Sequence, residues 1–207
     1  MNIRKAIQAD NPNPKFLKLV ETAHDLFWHH GIRRISVEEI CQTAGVSKMT
    51  FYKYFPNKTQ LALYVFSKVF QISRERYDQI MEEDVSFLEK TRKMVEMKMS
   101  AAEGFSDEIL KEVYVNPIPE ISEFMQMKTY DTFNKVMHDF TLAQKKGDIR
   151  QDIKIEFILY FMNHMLEMLK DENYTKLYSS TQELAVELMN FFFYGIMPRY
   201  ANEAERP

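Results

Sequence analysis

The sequence predicts an all-α protein with an N-terminal helix-turn-helix domain and a larger helical C-terminal domain. Apolar residues recur at helical spacing in successive segments, and no segment shows the alternation of apolar and polar residues that indicates a strand. Only 5 glycines and 7 prolines interrupt the 207 residues. Hydrophobic residues make up 45% and charged residues 28%, so the chain can form one or two domains with a substantial core.

The first predicted helix extends from about Pro14 to His30, and Gly31 ends it. Its apolar residues recur every three or four positions and form one stripe that would face a core. The members of this stripe are Phe16, Leu19, Val20, Ala23, Leu26 and Phe27.

Residues 36–58 predict two short helices joined by a tight turn. Ser36 can cap the first helix, and Glu39, three residues later, can reach back to complete a capping box. Gly45 tolerates the left-handed backbone conformation that ends a helix, and Ser47 can cap the second helix. The apolar residues of the first helix follow at helical spacing: Val37, Ile40, Cys41 and Ala44. Two helices joined in this way form a helix-turn-helix, whose second helix can enter the major groove of DNA.

The second helix of the motif carries the side chains that we expect to contact DNA. Phe51 and Phe55 are four residues apart and should instead face the core. Lysine supplies charge to phosphate or donors to guanine, threonine offers a hydroxyl and a methyl group to base edges, and tyrosine can donate to phosphate oxygens. The candidate residues are Lys48, Thr50, Tyr52, Lys53 and Tyr54. The alternative is a solvated helix face with half-buried tyrosines.

Phosphate contacts are also expected outside this helix. Ser36 and Ser47 begin helices whose free backbone N–H groups attract anions, so both are candidate phosphate-binding positions. Arg4 and Lys5 form either an arm in the minor groove or a disordered basic tail. Residues 1–60 hold nine Lys or Arg against five Asp or Glu, whereas the rest of the chain holds 18 against 25. The net charge of -3 therefore combines a basic head, suited to DNA, with an acidic body.

The order of residues in this segment strongly resembles the tetracycline-repressor (TetR) family of bacterial transcription regulators. The agreement keeps one unbroken register and involves many positions, so it is more specific than a bare helix-turn-helix pattern. The family commonly has a small residue where Met49 stands and histidine near Lys53, which bears on the operator that is read. The matching residues are Gly31, Ile35, Ser36, Val37, Ile40, Ala44, Gly45, Val46, Ser47, Lys48, Thr50, Phe51, Tyr52, Tyr54, Phe55 and Lys58.

The resemblance implies a DNA-binding domain over residues 1–60 and an effector-binding and dimerisation domain over residues 61–207. It implies that Lys58 is the family's phosphate-binding lysine. It also implies a homodimer that binds a double-stranded operator, and a small molecule whose binding changes the separation of the two heads and releases the DNA. We expect no cofactor and no metal.

The body is also predicted to be helical. A helix that begins at Lys58 leaves the head, and further helices are expected over residues 87–103, 107–115, 120–146, 155–170 and 181–197. The last of these is apolar over more than half of its circumference, through Leu184, Leu188, Phe191, Phe192 and Phe193. A helix that is apolar on two sides needs two partners. The last two helices are therefore predicted to form the dimer interface.

The 14 methionines predict either an adaptable ligand pocket or a plain helical core, because methionine fills irregular spaces and repacks easily. Six of them lie in the central body: Met94, Met97, Met99, Met125, Met127 and Met137. This composition favours a largely apolar effector with a few polar anchors. The candidate anchors are Tyr114, Tyr130, His138 and Asn163, and an ordinary core or surface position is the alternative for each.

Other classes of function have less support. The sequence contains no P-loop, no nucleophile elbow and no clustered Cys/His ligands, which argues against an enzyme. A helical adaptor would not need a basic head on an acidic body. No signal peptide or apolar segment of roughly 18 residues is present, and the single cysteine cannot form an internal disulfide. The sequence therefore predicts a cytoplasmic, ligand-responsive repressor without a membrane partner.

Overall fold

A computed structural model describes residues 3–102, 106–168, 171, 173, 176–179 and 181–198 of the chain. The regular secondary structure of these residues is helical, and no strand occurs among them. The predicted all-α fold is therefore confirmed. No helix in the described part of the chain is both long enough and apolar enough to cross a membrane.

The N-terminal part of the fold consists of α1 (Ile3–Asp10), α2 (Pro14–His30), α3 (Val37–Ala44), α4 (Lys48–Tyr54) and α5 (Lys58–Glu82). Helix α2 has the predicted bounds. It begins at Pro14, where the missing N–H breaks no intrahelical hydrogen bond, and the side chain of Asn13 caps it by accepting from the N–H of Lys15 at 3.0 Å.

The remaining elements are α6 (Phe87–Ala102), α7 (Asp107–Leu110), a π-helix (Lys111–Val115), α8 (Pro119–Lys146), α9 (Ile155–Met168) and α10 (Thr181–Ile196). The predicted helix ends at residues 103 and 170 lie outside the described residues. Residues 107–115 are predicted as one α-helix, but the helix changes to the wider π form at Lys111. There the N–H of Asn116 donates to the carbonyl of Lys111, five residues earlier, at 2.7 Å.

Helix α1 corrects both interpretations of Arg4 and Lys5. The side chains of Ile3 and Ile7 are buried in the same hydrophobic core as α2, which fixes this short helix on the head. The guanidinium of Arg4 lies 3.5 Å from the carboxylate of Glu21 on α2. Residues 3–10 are therefore neither an extended arm nor a disordered tail.

A buried lysine connects α1 with α5. The ammonium of Lys68 lies 2.5 Å from Oδ2 of Asp10 and donates to the side-chain oxygen of Gln71 at 2.8 Å. The hydroxyl of Tyr64 also donates to Oδ2 of Asp10, at 2.9 Å. The hydrogen bond from Lys68 lowers the pKa of Asp10, so the carboxylate stays ionised opposite the ammonium. A buried charge needs such partners, because an unpaired one would be costly to remove from water.

The chain divides into two compact units, Met1–Glu82 with Glu96–Asp131, and Glu83–Val95 with Thr132–Pro207. In the first unit, one hydrophobic core joins the N-terminal helices with residues 109–121. The predicted domain boundary at residue 60 lies inside α5 and so within this unit. The assignment of separate functions to residues 1–60 and 61–207 stays a prediction. Fully buried members of this core include Phe27, Ile32, Phe51, Leu61 and Ile109.

The second unit packs α9 and α10 through aromatic rings. The rings of Phe161 and Phe192 are stacked, with centroids 6.0 Å apart. Arg150, which precedes α9, holds the end of α10: its backbone N–H donates to the carbonyl of Ile196 at 3.0 Å and its guanidinium to that of Gly195 at 3.2 Å. One side of α10 is thereby fixed on its own chain.

Candidate nucleic-acid interface

Ser36 and Ser47 cap α3 and α4, as the sequence predicts, and Gly45 ends α3. The hydroxyl oxygen of Ser36 accepts from the N–H of Glu39, and that of Ser47 accepts from the N–H of Thr50, both at 3.1 Å. Gly45 adopts the left-handed conformation at a φ of 66°. The N–H of Val46 then donates to the carbonyl of Cys41 at 3.0 Å. All three bonds join residues within five positions of each other, so local sequence determines the ends of α3 and the start of α4.

Two phenylalanines anchor α4 to the head. Phe51 is fully buried, and Phe55, which follows the helix, is buried as well. The ring of Phe55 is stacked on Phe16 of α2 with centroids 5.7 Å apart. The prediction that both face the core is confirmed. The opposite side of α4 is consequently directed away from the core.

That opposite side of α4 is the candidate DNA-binding face. Lys48, Met49, Tyr52 and Lys53 are all exposed, and their spacing places them together over one and a half helical turns. Tyr52 exposes 56% of its surface although it is a large aromatic residue. Thr50 is half-buried, and its hydroxyl lies 3.0 Å from that of Ser47. Met49, which sequence reasoning left out of the site, is also exposed on this face.

Glu38 on α3 is a second residue that sequence reasoning missed. Its carboxylate accepts a hydrogen bond from the ammonium of Lys48, and both side chains are exposed. This hydrogen bond raises the pKa of Lys48 and lowers that of Glu38, so both groups are charged at neutral pH. A DNA phosphate that bound Lys48, as the sequence predicts, would have to compete with Glu38 for the lysine. The two partners are ten positions apart, and no pattern in the sequence indicated the contact.

Tyr54, a further predicted DNA contact, packs against the core of the head. It is half-buried and meets the ring of Phe16 edge to face, with centroids 5.0 Å apart. The ammonium of Lys53 lies 5.8 Å from the centroid of the Tyr54 ring. Tyr54 thus contributes to the core, and contact of its hydroxyl with phosphate stays a prediction.

Lys58 has a structural role that the sequence did not indicate. Its ammonium donates to the carbonyl of Arg33 at 3.1 Å and to that of Ile35 at 2.6 Å, both in the turn before α3. Burial lowers the pKa of Lys58, and the carboxylate of Glu112 acts in the opposite direction. An ammonium has three N–H donors, and these two carbonyls occupy two of them. The predicted phosphate contact would use the third.

Two of the four predicted effector anchors, Tyr130 and His138, have side chains that the structure describes. Tyr130 on α8 is 67% exposed, and His138 on the same helix is also exposed. The side chains of Tyr114 and Asn163 lie outside the described residues. The location of an effector site therefore stays a prediction.

Comparison with known proteins identifies the helix-turn-helix. Residues 19–65 match the model of the bacterial regulatory proteins of the tetR family. The transcriptional repressor KstR2 of Mycolicibacterium smegmatis is 22% identical over 150 residues, which cover 70% of this chain and 72% of the relative.

Solved structures of other transcription regulators superpose on most of this chain. SCO4454, a TetR-family regulator from Streptomyces coelicolor, superposes with a TM-score of 0.67 at 17% identity and 94% coverage of both chains. FadR from Bacillus subtilis, in complex with stearoyl-CoA, gives a TM-score of 0.67 at 19% identity, covering 87% of this chain and 99% of FadR. These relatives are transcription regulators and not enzymes, and at these identities the structural likeness concerns the fold. Together with the matched helix-turn-helix, the similarities establish that the chain belongs to the TetR family of transcription regulators.

Proposed function

We propose that this regulator is a cytoplasmic repressor that binds a palindromic DNA operator as a homodimer and releases it when a small molecule binds. The exposed face of α4 carries the proposal, because Lys48, Tyr52 and Lys53 offer cationic and hydroxyl groups beside the α3–α4 turn. In a helix-turn-helix the second helix enters the major groove. Repression is supported by the function in the name of the KstR2 relative.

Selection from a pool of random DNA duplexes tests the operator. Two identical heads related by a two-fold axis are expected to select half-sites separated by about one helical turn or a multiple of it. Thr50→Ala should lose about 1–3 kcal/mol of discrimination between selected and random DNA, because it removes a hydroxyl and a methyl group from the candidate face. Fluorescence anisotropy with both DNAs measures this loss. Thr129→Ala, the same change at an exposed position of α8, is the control. Binding without any selected motif would contradict the proposal.

The homodimer is proposed to form through α9 and α10. Phe157 and Tyr160 are exposed on α9, and Phe191 and Tyr194 are exposed on α10. Within each pair the residues are three positions apart and share a helix face. Exposed clusters of large apolar side chains mark interaction surfaces in soluble proteins. A second copy of the same two helices would cover these rings in a two-fold interface.

The proposed effector is a largely apolar small molecule with a few polar groups. The stearoyl-CoA bound to FadR supports the apolar part of this class, because its stearoyl group is a long acyl chain. Tyr114, Tyr130, His138 and Asn163 remain the candidate anchors. Such a molecule can release DNA only when it binds the conformation without DNA more tightly than the conformation with DNA.

A thermal-shift screen of apolar and amphipathic compounds, including long-chain acyl-CoA, tests the effector. A ligand of the folded state should raise the melting temperature. It should also weaken operator binding, and by linkage the operator should weaken ligand binding by the same factor. Titrations with each hit, with and without operator, measure both directions. A tight ligand that leaves operator affinity unchanged is not the effector, and a screen without any hit counts against regulation by this class.

A further inference from the structure

The turn between α2 and α3, residues 31–35, is held by a buried carboxylate from a distant part of the chain. Glu112 lies in the π-helix, and its side chain accepts from two consecutive backbone N–H groups. The N–H of Ile32 donates to Oε2 at 2.5 Å, and the N–H of Arg33 donates to Oε1 at 3.0 Å. Glu112 is only 8% exposed. A buried carboxylate is stable only when such donors compensate for its lost hydration.

Hydrogen bonds from the side chains of Arg33 and Lys58 also hold this turn. The guanidinium of Arg33 donates to the carbonyl of Asn116 at 2.7 Å and to that of Pro117 at 3.2 Å, just beyond the π-helix. The ammonium of Lys58 donates to two carbonyls of the turn from the side of α5. The turn is therefore bonded both to the π-helix and to α5.

The position of the turn determines where α3 begins. Ser36, the cap of α3, follows the turn directly. Helix α4 has only seven residues and follows α3 after a tight turn, so a displacement of α3 would carry the candidate DNA-binding face with it. Direct readout requires side chains to reach base edges within hydrogen-bonding distance, and a small displacement of α4 would break such contacts.

We propose that Glu112 is a positioning residue for operator binding. By holding the N–H groups of Ile32 and Arg33, its carboxylate fixes the turn from which α3 starts and thereby the orientation of α4. Glu112 is buried and does not contact DNA itself. The π-helix agrees with this role, since π-helical turns occur frequently at functional sites. The inference rests on the proposed function, in which α4 binds the operator.

Glu112→Gln tests the inference, with Glu108→Gln as the matched control. Both changes remove one negative charge, and Glu108 is exposed one turn earlier on α7. Loss of a negative charge near the head should leave DNA affinity unchanged or raise it. Glu112→Gln should instead weaken operator binding by about tenfold or more, because an amide can accept only one of the two N–H groups and presents its own donor to the other.

The salt dependence distinguishes positioning from direct contact. A residue that positions α4 changes the affinity but leaves the slope of log K against log salt as in the wild type, whereas loss of a phosphate contact changes that slope by about one. Amide hydrogen exchange at Ile32 and Arg33 should accelerate in Glu112→Gln at a temperature where the variant is folded. The melting temperature of each variant defines that temperature. The oligomeric state of each variant is measured as well, to show that the variants are compared in the same state.

Each outcome decides the inference. The wild type and Glu108→Gln are expected to bind the selected operator. The positioning role is overturned when folded Glu112→Gln binds the operator equally well, or when its slope of log K against log salt differs from that of the wild type. When Glu112→Gln does not fold, Glu112→Asp, which keeps the charge but shortens the reach, replaces it in the same comparison. When even the wild type selects no DNA sequence, the proposed function fails. Slow hydrogen exchange of the Ile32 and Arg33 amides in the wild type would then show that Glu112 still holds the turn, so the two failures are distinguishable.

Discussion

Phe191→Asp is expected to convert the proposed dimer into monomers and to abolish operator binding at concentrations where the wild type binds. Phe191 is 70% exposed in the single chain, and Tyr194, one turn later on α10, is 84% exposed. Burying an unpaired carboxylate in a two-fold interface places two such charges there, one from each copy. Loss of one aromatic anchor alone typically costs about 2 kcal/mol or more. Sedimentation velocity measures the dimer, and anisotropy measures operator binding.

The neighbouring position gives a sharp control. Phe192 is only 3% exposed and stacks on Phe161 within its own chain, so Phe192→Asp should unfold the second unit and not merely separate the copies. Val85→Asp places a carboxylate at an exposed apolar position between α5 and α6 and should leave both dimer and stability unchanged. A wild type that sediments as a monodisperse monomer at micromolar concentration, or a dimeric Phe191→Asp, would overturn the proposed interface.

Gly31→Ala is expected to destabilise the first unit by about 2–5 kcal/mol. The backbone of Gly31 has a φ of 79° and a ψ of 164°, a region that is almost restricted to glycine. A Cβ atom there would lie 3.0 Å from Oε1 of Glu112 and 3.1 Å from Cβ of Glu108. Backbone strain would therefore add to the displacement of the carboxylate that holds Ile32. Thermal unfolding should show a melting temperature lower by about 5–15 °C.

Gly45→Ala is the comparison that separates backbone strain from displacement of the Glu112 carboxylate. Gly45 also has a positive φ, but it lies in the ordinary left-handed region, and an added Cβ would meet no atom within 4 Å. Its cost should be near 1–2 kcal/mol, the usual penalty of that conformation. Equal destabilisation by the two substitutions would mean that the approach of Glu112 to Gly31 contributes nothing to stability.

The helix-turn-helix was predictable because its determinants are local. Ser36, Gly45 and Ser47 each act on backbone groups within a few residues, so their effect is encoded in the spacing alone. Helix α1 was not predicted, because eight residues with only Ile3 and Ile7 buried give too weak a periodic signal. Its stability comes from packing on the head, which propensity does not reveal.

The contacts that position the site were hidden for a different reason. Glu112 and the N–H of Ile32 are 80 residues apart, and no pattern in the sequence relates them. On α10, Phe191 and Phe192 are the same residue type and both rings contact Phe161, yet only the fold leaves Phe191 70% exposed and Phe192 3% exposed. Sequence reasoning thus identified the DNA-binding motif, whereas the residues that orient it required the tertiary structure.

The shared core of the first unit limits where recombination with a related gene could produce a folded chimera. Ile109, Val113 and Ile121 pack in one cluster with Phe27 and Ile32, so the head is completed by a segment that follows it much later in the gene. A crossover near codon 60 would unite a head with a body that lacks these matching side chains and the carboxylate of the π-helix. The first compact unit is therefore discontinuous in sequence, and a chimeric regulator would have to carry both of its segments. In the proposed function, substitutions on the exposed face of α4 would be the simpler route to a new operator.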